Sequence, residues 1–335
     1  MMSAKRWIAL AIAAFLLIVS VGFQTVASIA TADFDQLFAG GNEDGVQEKV
    51  VERGQGEGKI VILNLDGVIQ DTGTAPSFVN SATYHHQQFL RLLDRAGEDN
   101  TVSGVILRVN TPGGGVVESD EIHDKVKTIQ EEFGKPVYVS MGNTAASGGY
   151  YVSAPADKIV AHPATVTGSI GVIMQSINYS ELADNIGLEF NTLKSGEYKD
   201  IMAGDRPMTE EEEEILQSMV DDFYGDFVNI IAEGRGMDEQ TVREIGDGRV
   251  YSGTQAHEVG LVDDLGTLED TITMMKEDLG LDNPLVTKYQ YGGLGFNQFI
   301  GATARSLMVS DSELLGIKEI LMDSETPRAM YLYTE

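Results

Sequence analysis

Val105-Ile-Leu-Arg-Val-Asn-Thr-Pro-Gly-Gly-Gly115 reads as a strand that runs straight into a glycine turn. Aliphatic and β-branched residues at consecutive positions fit a pleated ribbon covered on both faces. Pro112 has no N–H to give a ladder, and the three glycines after it end the strand, which is placed at 105–110. Working outward, Lys59-Ile-Val-Ile-Leu-Asn-Leu65 has the same character and closes on Asp66-Gly67. Between the two, His86 to Gly97 carries Phe89, Leu90, Leu92 and Leu93 at helical spacing. On the far side come a helix from Glu118 to Phe133, a strand from Pro136 to Met141, and a helix starting within Asn143 to Gly149. Ile159 to Ala161 and Leu188 to Leu193 read as further short strands. This alternation predicts an α/β core of stacked right-handed β-α-β units.

The ends of the chain differ from this middle. Lys5-Arg6 precedes a charge-free run from Trp7 to Ala32, long enough to cross a bilayer, for which roughly 20 apolar residues suffice. No basic residue follows until Lys49, so the charge bias keeps the N-terminus cytoplasmic and places the rest outside. The small residues of Ala30-Thr31-Ala32 would also suit a cleaved leader, but the apolar run exceeds the usual leader length. Asp33 to Gly58 is polar and Gly-rich and reads as a linker. The expected organisation is therefore an anchor at 1–32, a linker at 33–58, a catalytic-type domain at 59–285 and a C-terminal segment at 286–335. A cell-membrane location follows, single-pass, with the folded domain extracytoplasmic.

With 335 residues, 42% of them hydrophobic, the chain can bury a substantial core. It has no cysteine, which excludes disulfides, thiolate nucleophiles and Cys-ligated metals. Its net charge of −29 repels phosphate backbones and argues against nucleic-acid binding. Thr209 with Glu212 three residues on is a capping box that opens a long helix. Ile215, Leu216, Met219, Val220, Phe223, Phe227 and Ile230 form its apolar face, and the Glu210–Glu214 run suits the positive end of its dipole. The tail is weakly patterned, with a short amphipathic piece near Leu314 to Met322. Its close, Pro327-Arg-Ala-Met-Tyr-Leu-Tyr333, is apolar and extended, suited to dock on a neighbouring subunit or to mimic a peptide.

Two glycine-rich places could hold chemistry. Gly113-Gly114-Gly115 can present backbone N–H groups to an oxyanion with no β-carbon in the way, though three glycines after a strand also make an ordinary tight turn. In Thr144-Ala-Ala-Ser147-Gly-Gly149 a strand hands over to a helix, so Ser147 is either a reachable nucleophile beside the N–H of Gly148 or a helix cap. A serine nucleophile needs a base. Of the five histidines, His85 and His86 precede a helix, His162 precedes Pro163 and His257 lies in a late helical segment; His123 alone could complete a triad. The other possible base is a neutral, desolvated lysine. Lys194-Ser-Gly-Glu-Tyr-Lys199-Asp200 offers two lysines, between which the residues do not choose.

The stretches VNTPGGGVVES from Val109, VSMGNTAASGGYYVS from Val139, ADKIVAHPATVTGSIGVI from Ala156, KSGEYKD from Lys194 and DGRVYSGTQAHEVGLVDDLG from Asp247 together resemble the signal peptide peptidases of the SppA type, in their short single-copy form. The resemblance runs from the apolar N-terminus almost to the C-terminus. It implies a Clp protease or crotonase-like fold with an N-terminal transmembrane helix. It further implies Ser147 as nucleophile, Lys199 rather than Lys194 as general base, and Ser169 as the partner that orients the lysine amine. Gly114 and Gly148 would form the oxyanion hole, with Gly113 and Gly115 in the same loop. No cofactor or metal is expected. The implied substrates are remnant signal peptides and other apolar peptides, and the implied assembly is a ring-shaped homo-oligomer. Two other readings compete: a crotonase-like hydratase, whose glycine loops hold an acyl-CoA thioester enolate, and a catalytically idle membrane scaffold.

Overall fold

Residues 45–71, 84–291 and 329–333 are described by the computed structural model. Nine strands form one sheet, in the order β1 (Val46–Glu52), β10 (Leu285–Tyr291), β2 (Lys59–Asp66), β3 (Val102–Thr111), β5 (Val137–Ala146), β6 (Lys158–Ala161) and β9 (Asp264–Leu265). Beside this row, β7 (Val166–Gly168) pairs with β5 and with β8 (Val250–Ser252). Pairing is parallel from β10 through β2, β3 and β5 to β6 and on to β9, and β7–β8 is antiparallel. The expected α/β class with a mostly parallel sheet is therefore what the chain adopts. From Glu48 onward the chain makes one compact unit; of the preceding unit only residues 45–47 are described.

Both faces of the sheet are covered, which is why its central strands read as continuous apolar runs. On one face Ile60, Ile62, Ile106, Tyr138 and Val286 pack with Ile272 and Met275 of a helix at Leu268–Asp278. Alternation sends Val61, Leu63 and Leu65 to the other face, all of them inaccessible to solvent. The helices α1 (His86–Glu98) and α2 (Val116–Glu131) pack on each other, and α1 also packs on β2 and β3. Buried Phe89 and Leu93, with Ile122, Val126 and Ile129, form their inner faces.

Three expectations are corrected. The stretch 33–58, expected as a linker, contains β1, an edge strand whose Val50 and Val51 stay about half exposed. Its charged residues hid it from a search for alternation, and charge is what edge strands need. Glu48 and Glu52 in it pair with Lys59 and Lys276. Likewise β10 carries the sheet on to Tyr291, past the expected domain end at 285. Leu188–Leu193 is not a strand; it is a loop that leaves Leu188 and Leu193 exposed and pairs with no strand among the described residues.

The helix at Thr209 forms as expected, with both halves of the capping box present and Glu210–Arg235 helical. The Trp7 to Ala32 span and the piece near Leu314 to Met322 lie outside the described residues. Among the described residues no helix is long and apolar enough to cross a membrane.

Candidate active site

β3 and β5 run side by side, with Thr111 opposite Ala145, so both strands leave the sheet at the same edge. From β3 the chain passes through Pro112 into β4 (Gly113–Gly115), and from β5 it passes into Ser147. That shared exit brings the glycine loop and the serine together. Asn110 ties the two exits, since its side-chain carbonyl accepts from the N–H groups of Asn143 at 3.0 Å and Thr144 at 3.3 Å.

Ser147 sits at φ 53°, ψ −117°, a conformation that residues with a β-carbon seldom adopt. Its surroundings impose it. The Ser147 N–H donates to Gly168 O at 2.7 Å, and its own carbonyl accepts from Tyr150 and Tyr151 at 2.8 and 2.9 Å. Such strain at a strand-to-helix turn is a mark of nucleophilic serines. The residue is 1% exposed, and its hydroxyl has no hydrogen-bond partner among the described residues. The helix after it is one turn, Gly148–Tyr151, shorter than expected, so its dipole adds little and the Gly148 N–H itself is the useful group. Only glycine fits at 148: a β-carbon there would stand 2.6 Å from Ser119 Oγ and 3.2 Å from the Gly113 α-carbon.

The glycine loop is held from both sides. Ile69 N–H donates to Gly113 O and Ile69 O accepts from Gly115 N–H, each at 2.8 Å. The N–H and carbonyl of Gly114 therefore face away from Ile69, toward the strand β11 (Met330–Leu332), which pairs antiparallel with Tyr331 opposite Gly114. With Tyr333 N–H on Pro112 O at 2.8 Å, the alternation of an antiparallel ladder makes Tyr331–Gly114 the next hydrogen-bonded pair. A β-carbon on Gly113, at φ 103°, would lie 2.1 Å from the Tyr331 carbonyl oxygen and 2.7 Å from the Gly148 nitrogen. The tail's Tyr331 carbonyl, the Gly114 N–H and the Gly148 N–H thus converge beside Ser147.

On its other edge the tail is clamped by Ile173, whose N–H and carbonyl exchange hydrogen bonds with Met330 at 3.1 and 3.0 Å. The Tyr331 side chain is fully buried. Its ring stacks on Tyr151 and lies tilted to Phe227, both with centroids 4.8 Å away, while its hydroxyl donates to Phe223 O at 3.0 Å. Tyr151 in turn donates to Asp120 at 2.8 Å. Burial pushes both hydroxyls above the ordinary phenol range, so each stays a donor. This aromatic pocket was not found from sequence. Phe227 read as part of the apolar face of its helix, and only the extended, apolar look of the tail pointed to a peptide-like occupant.

The other expected residues divide. Ser169 follows Gly168 directly, at φ 51°, and its N–H donates to Arg249 O at 2.8 Å, so it is fixed next to Ser147. Lys194 and Lys199 are exposed on one turn. Lys194 is engaged, donating to Asp200 and to the Glu197 carbonyl, each at 2.7 Å. Lys199 has no side-chain partner among the described residues and makes no hydrogen bond to Ser147 or Ser169 within this chain. The turn is pinned from below: Arg206 grips Asp200 at 2.7 Å and Glu212 at 2.5 Å, and Glu212 is 2% exposed at the start of the long helix. Arg206, then the Thr209 N–H, hold the Glu212 carboxyl down at about 2.

His123 does not complete a triad. Its Nδ1 faces Asp124 at 3.2 Å and its ring meets the edge of Tyr151. Asp120, His123 and Asp124 could bring three ligand atoms within 4.8 Å of one another, but they lie on the outer side of the aromatic pocket, and Asp120 already accepts from Tyr151.

Comparison with known proteins agrees with this geometry. Residues 129–282 match the model of peptidase family S49. An Enterococcus faecium protein with the provisional name signal peptide peptidase SppA is 39% identical over 345 residues, covering 99% of both chains. The chloroplastic serine protease SPPA of Arabidopsis thaliana is 32% identical over 77% of this chain and 37% of its own length. Protease 4 of Haemophilus influenzae is 33% identical over 65% of this chain and 34% of its own. A strained serine beside two inward N–H groups, in a chain matched end to end by such a relative, leads to one conclusion: the protein belongs to peptidase family S49 and is a serine protease.

Proposed function

We propose that the protein is a membrane-anchored endopeptidase that degrades remnant signal peptides and other apolar peptides at the outer face of the cytoplasmic membrane, with a Clp protease/crotonase-like fold and a Ser147–Lys199 dyad. The observation that carries this is the convergence of a peptide carbonyl, that of Tyr331, with the Gly114 and Gly148 N–H groups beside strained Ser147. A bound substrate would lie as β11 does, antiparallel to Gly113–Gly115, with an apolar side chain in the Tyr151–Phe227 pocket. Ser147 Oγ attacks the carbonyl carbon and its proton passes to Lys199 Nζ. The two N–H groups hold the developing oxyanion. The C–N bond then breaks, the amine leaves with that proton, and water adds to the ester with Lys199 again taking the proton, which restores Oγ–H.

Lys199 comes to this site from a neighbouring copy of the chain in a ring-shaped homo-oligomer. Among the described residues it has no side-chain partner, and it is exposed, on a segment rich in exposed apolar residues: Ile177 at 76%, Leu182 at 64%, Ile186 at 71% and Leu193 fully exposed. Such a patch supports a protein interface. Covering it would dry the surroundings of Lys199, and Ser169 would receive its amine. The N-terminal run from Trp7 to Ala32 supplies the anchor.

The test is labelling of the purified full chain with a fluorophosphonate probe, together with hydrolysis of apolar peptides. Ser147→Ala should lose both, Lys199→Ala should lose hydrolysis, and Lys194→Ala should keep it. Retained hydrolysis in Ser147→Ala refutes the proposed nucleophile. Mixing the two inactive variants restores one active pairing only if the dyad spans two copies, so absence of complementation refutes that arrangement.

A further inference from the structure

The residue that follows Tyr331 opens onto a second cavity. Side chains alternate along an extended strand, so Leu332 points away from the pocket that takes Tyr331. It lines a cavity of about 510 Å³ together with Ile170, Ile173, Val220, Tyr224 and Arg243. That volume is in the range of a ligand pocket rather than a packing defect. Ser169, next to the nucleophile's turn, forms its near end, so the cavity begins at the reacting centre.

Its lining is mostly apolar, with Asp221, Arg243 and Asp247 among the lining residues. Val220 and Tyr224 are one turn apart on the long helix, and the Tyr224 hydroxyl is committed to Gly246 O at 2.7 Å. Arg243 lies over that ring, 5.4 Å from its centroid. Asp221 and Asp247 border the mouth, and Asp247 is held by Arg249 at 2.7 Å. Leu332 remains partly exposed and fills only part of the space.

We propose that this cavity is the subsite for the first residue on the leaving side of the scissile bond, and that it selects a large apolar side chain there. The inference rests on the reading of Tyr331 as occupying the acyl side, because only then is Leu332 the first leaving-side residue. A substrate would be chosen from both sides of the bond, by the aromatic pocket before it and by this cavity after it. Filling a preformed apolar cavity with a side chain larger than glycine is worth about a tenfold or greater preference.

The test uses the full chain and quenched-fluorophore peptides of sequence Ala-Met-Tyr-Xaa-Tyr, with Xaa as Leu, Phe, Gly or Asp. The expected kcat/KM for Leu and Phe exceeds that for Gly by about tenfold or more, with Asp poorest. Val220→Trp should bring the Leu-to-Gly ratio toward one. Val220→Ala should move preference from Leu toward Phe. Equal rates for Leu, Phe and Gly, a preference for Asp, or a uniform loss in Val220→Trp overturn the proposal. Fluorescence anisotropy of the same peptides on Ser147→Ala separates this from the catalytic reading, since it needs no hydrolysis. Tighter binding of the Leu than the Gly peptide supports the subsite whatever the nucleophile, whereas equal or absent binding overturns it.

Discussion

The ring of Tyr331 stacks on that of Tyr151, centroids 4.8 Å apart and planes 26° from parallel, so the chain's own tail fills the pocket beside its serine. Any peptide that binds as β11 does must first displace it. Competition of this kind multiplies apparent affinity by the fraction of open sites. Tyr331→Ala deletes the anchor and should lower the KM for short peptides by about tenfold, with kcat little changed. Steady-state kinetics on the variant check this, with a melting curve to confirm that the fold persists. An unchanged KM would mean that the tail does not compete.

Strain at Ser147 makes an opposite pair of outcomes. A non-glycine residue at φ 53° costs on the order of 1–3 kcal/mol, supplied by the surrounding hydrogen bonds. Ser147→Gly relieves it and should stabilise the protein by roughly 1 kcal/mol while abolishing hydrolysis. Denaturant unfolding of Ser147→Gly beside Ser147→Ala isolates the backbone effect, because both lack the hydroxyl. If the two variants unfold together, the conformation is not strained.

Gly113 is constrained by the reacting carbonyl as well as by its own φ. A β-carbon there would stand 2.1 Å from the carbonyl oxygen of Tyr331, the place a substrate carbonyl would take. Gly113→Ala should therefore cost activity by about a hundredfold or more, the scale of losing one oxyanion donor. The same clash should release the tail, visible as faster amide hydrogen exchange at Tyr331 and Leu332. Full activity in Gly113→Ala would place the bound carbonyl elsewhere.

Much of this was legible in the residues. The buried strands announced themselves because a sheet covered on both faces demands unbroken apolar runs, and Thr209 with Glu212 announced a helix start because capping is local chemistry. Ser147 and the glycine loop stood out as candidates because their neighbours are small and lie at strand ends, but the residues alone left nucleophile or helix cap, and oxyanion loop or plain turn, open. What sequence could not give depends on contacts distant along the chain. The polar strand at Val46–Glu52 is specified by its place at a sheet edge. Leu188–Leu193 has the composition of a strand but finds no partner among the described residues. The pocket of Tyr151 and Phe227 joins residues far apart in sequence, and the two lysines look alike in sequence because their difference lies in Asp200, which engages Lys194.

The clamp beneath that lysine turn gives a pH signature. Glu212 has an ordinary value of 4.5 and is held at about 2 in the fold, by Arg206 first and by the Thr209 N–H next. A carboxyl depressed on folding contributes stability that is complete above its unfolded value and disappears as pH falls through its folded one. The contribution should thus be whole near neutrality, begin to fade near pH 4.5 and be gone by about pH 2. Asp200, also lowered by Arg206 and then Lys194, acts in the same direction. Other carboxyls titrate in this window, so the informative quantity is a difference between proteins. Glu212→Gln should melt below the parent at pH 7, and the two melting temperatures should draw together as pH falls from 4.5 toward 2. Because Arg206 then holds the Lys199 turn by one carboxylate instead of two, hydrolysis at pH 7 should fall as well, by about tenfold in kcat with KM nearly unchanged. A gap in melting temperature that stays constant across the window would show that Glu212 supports the helix by packing alone.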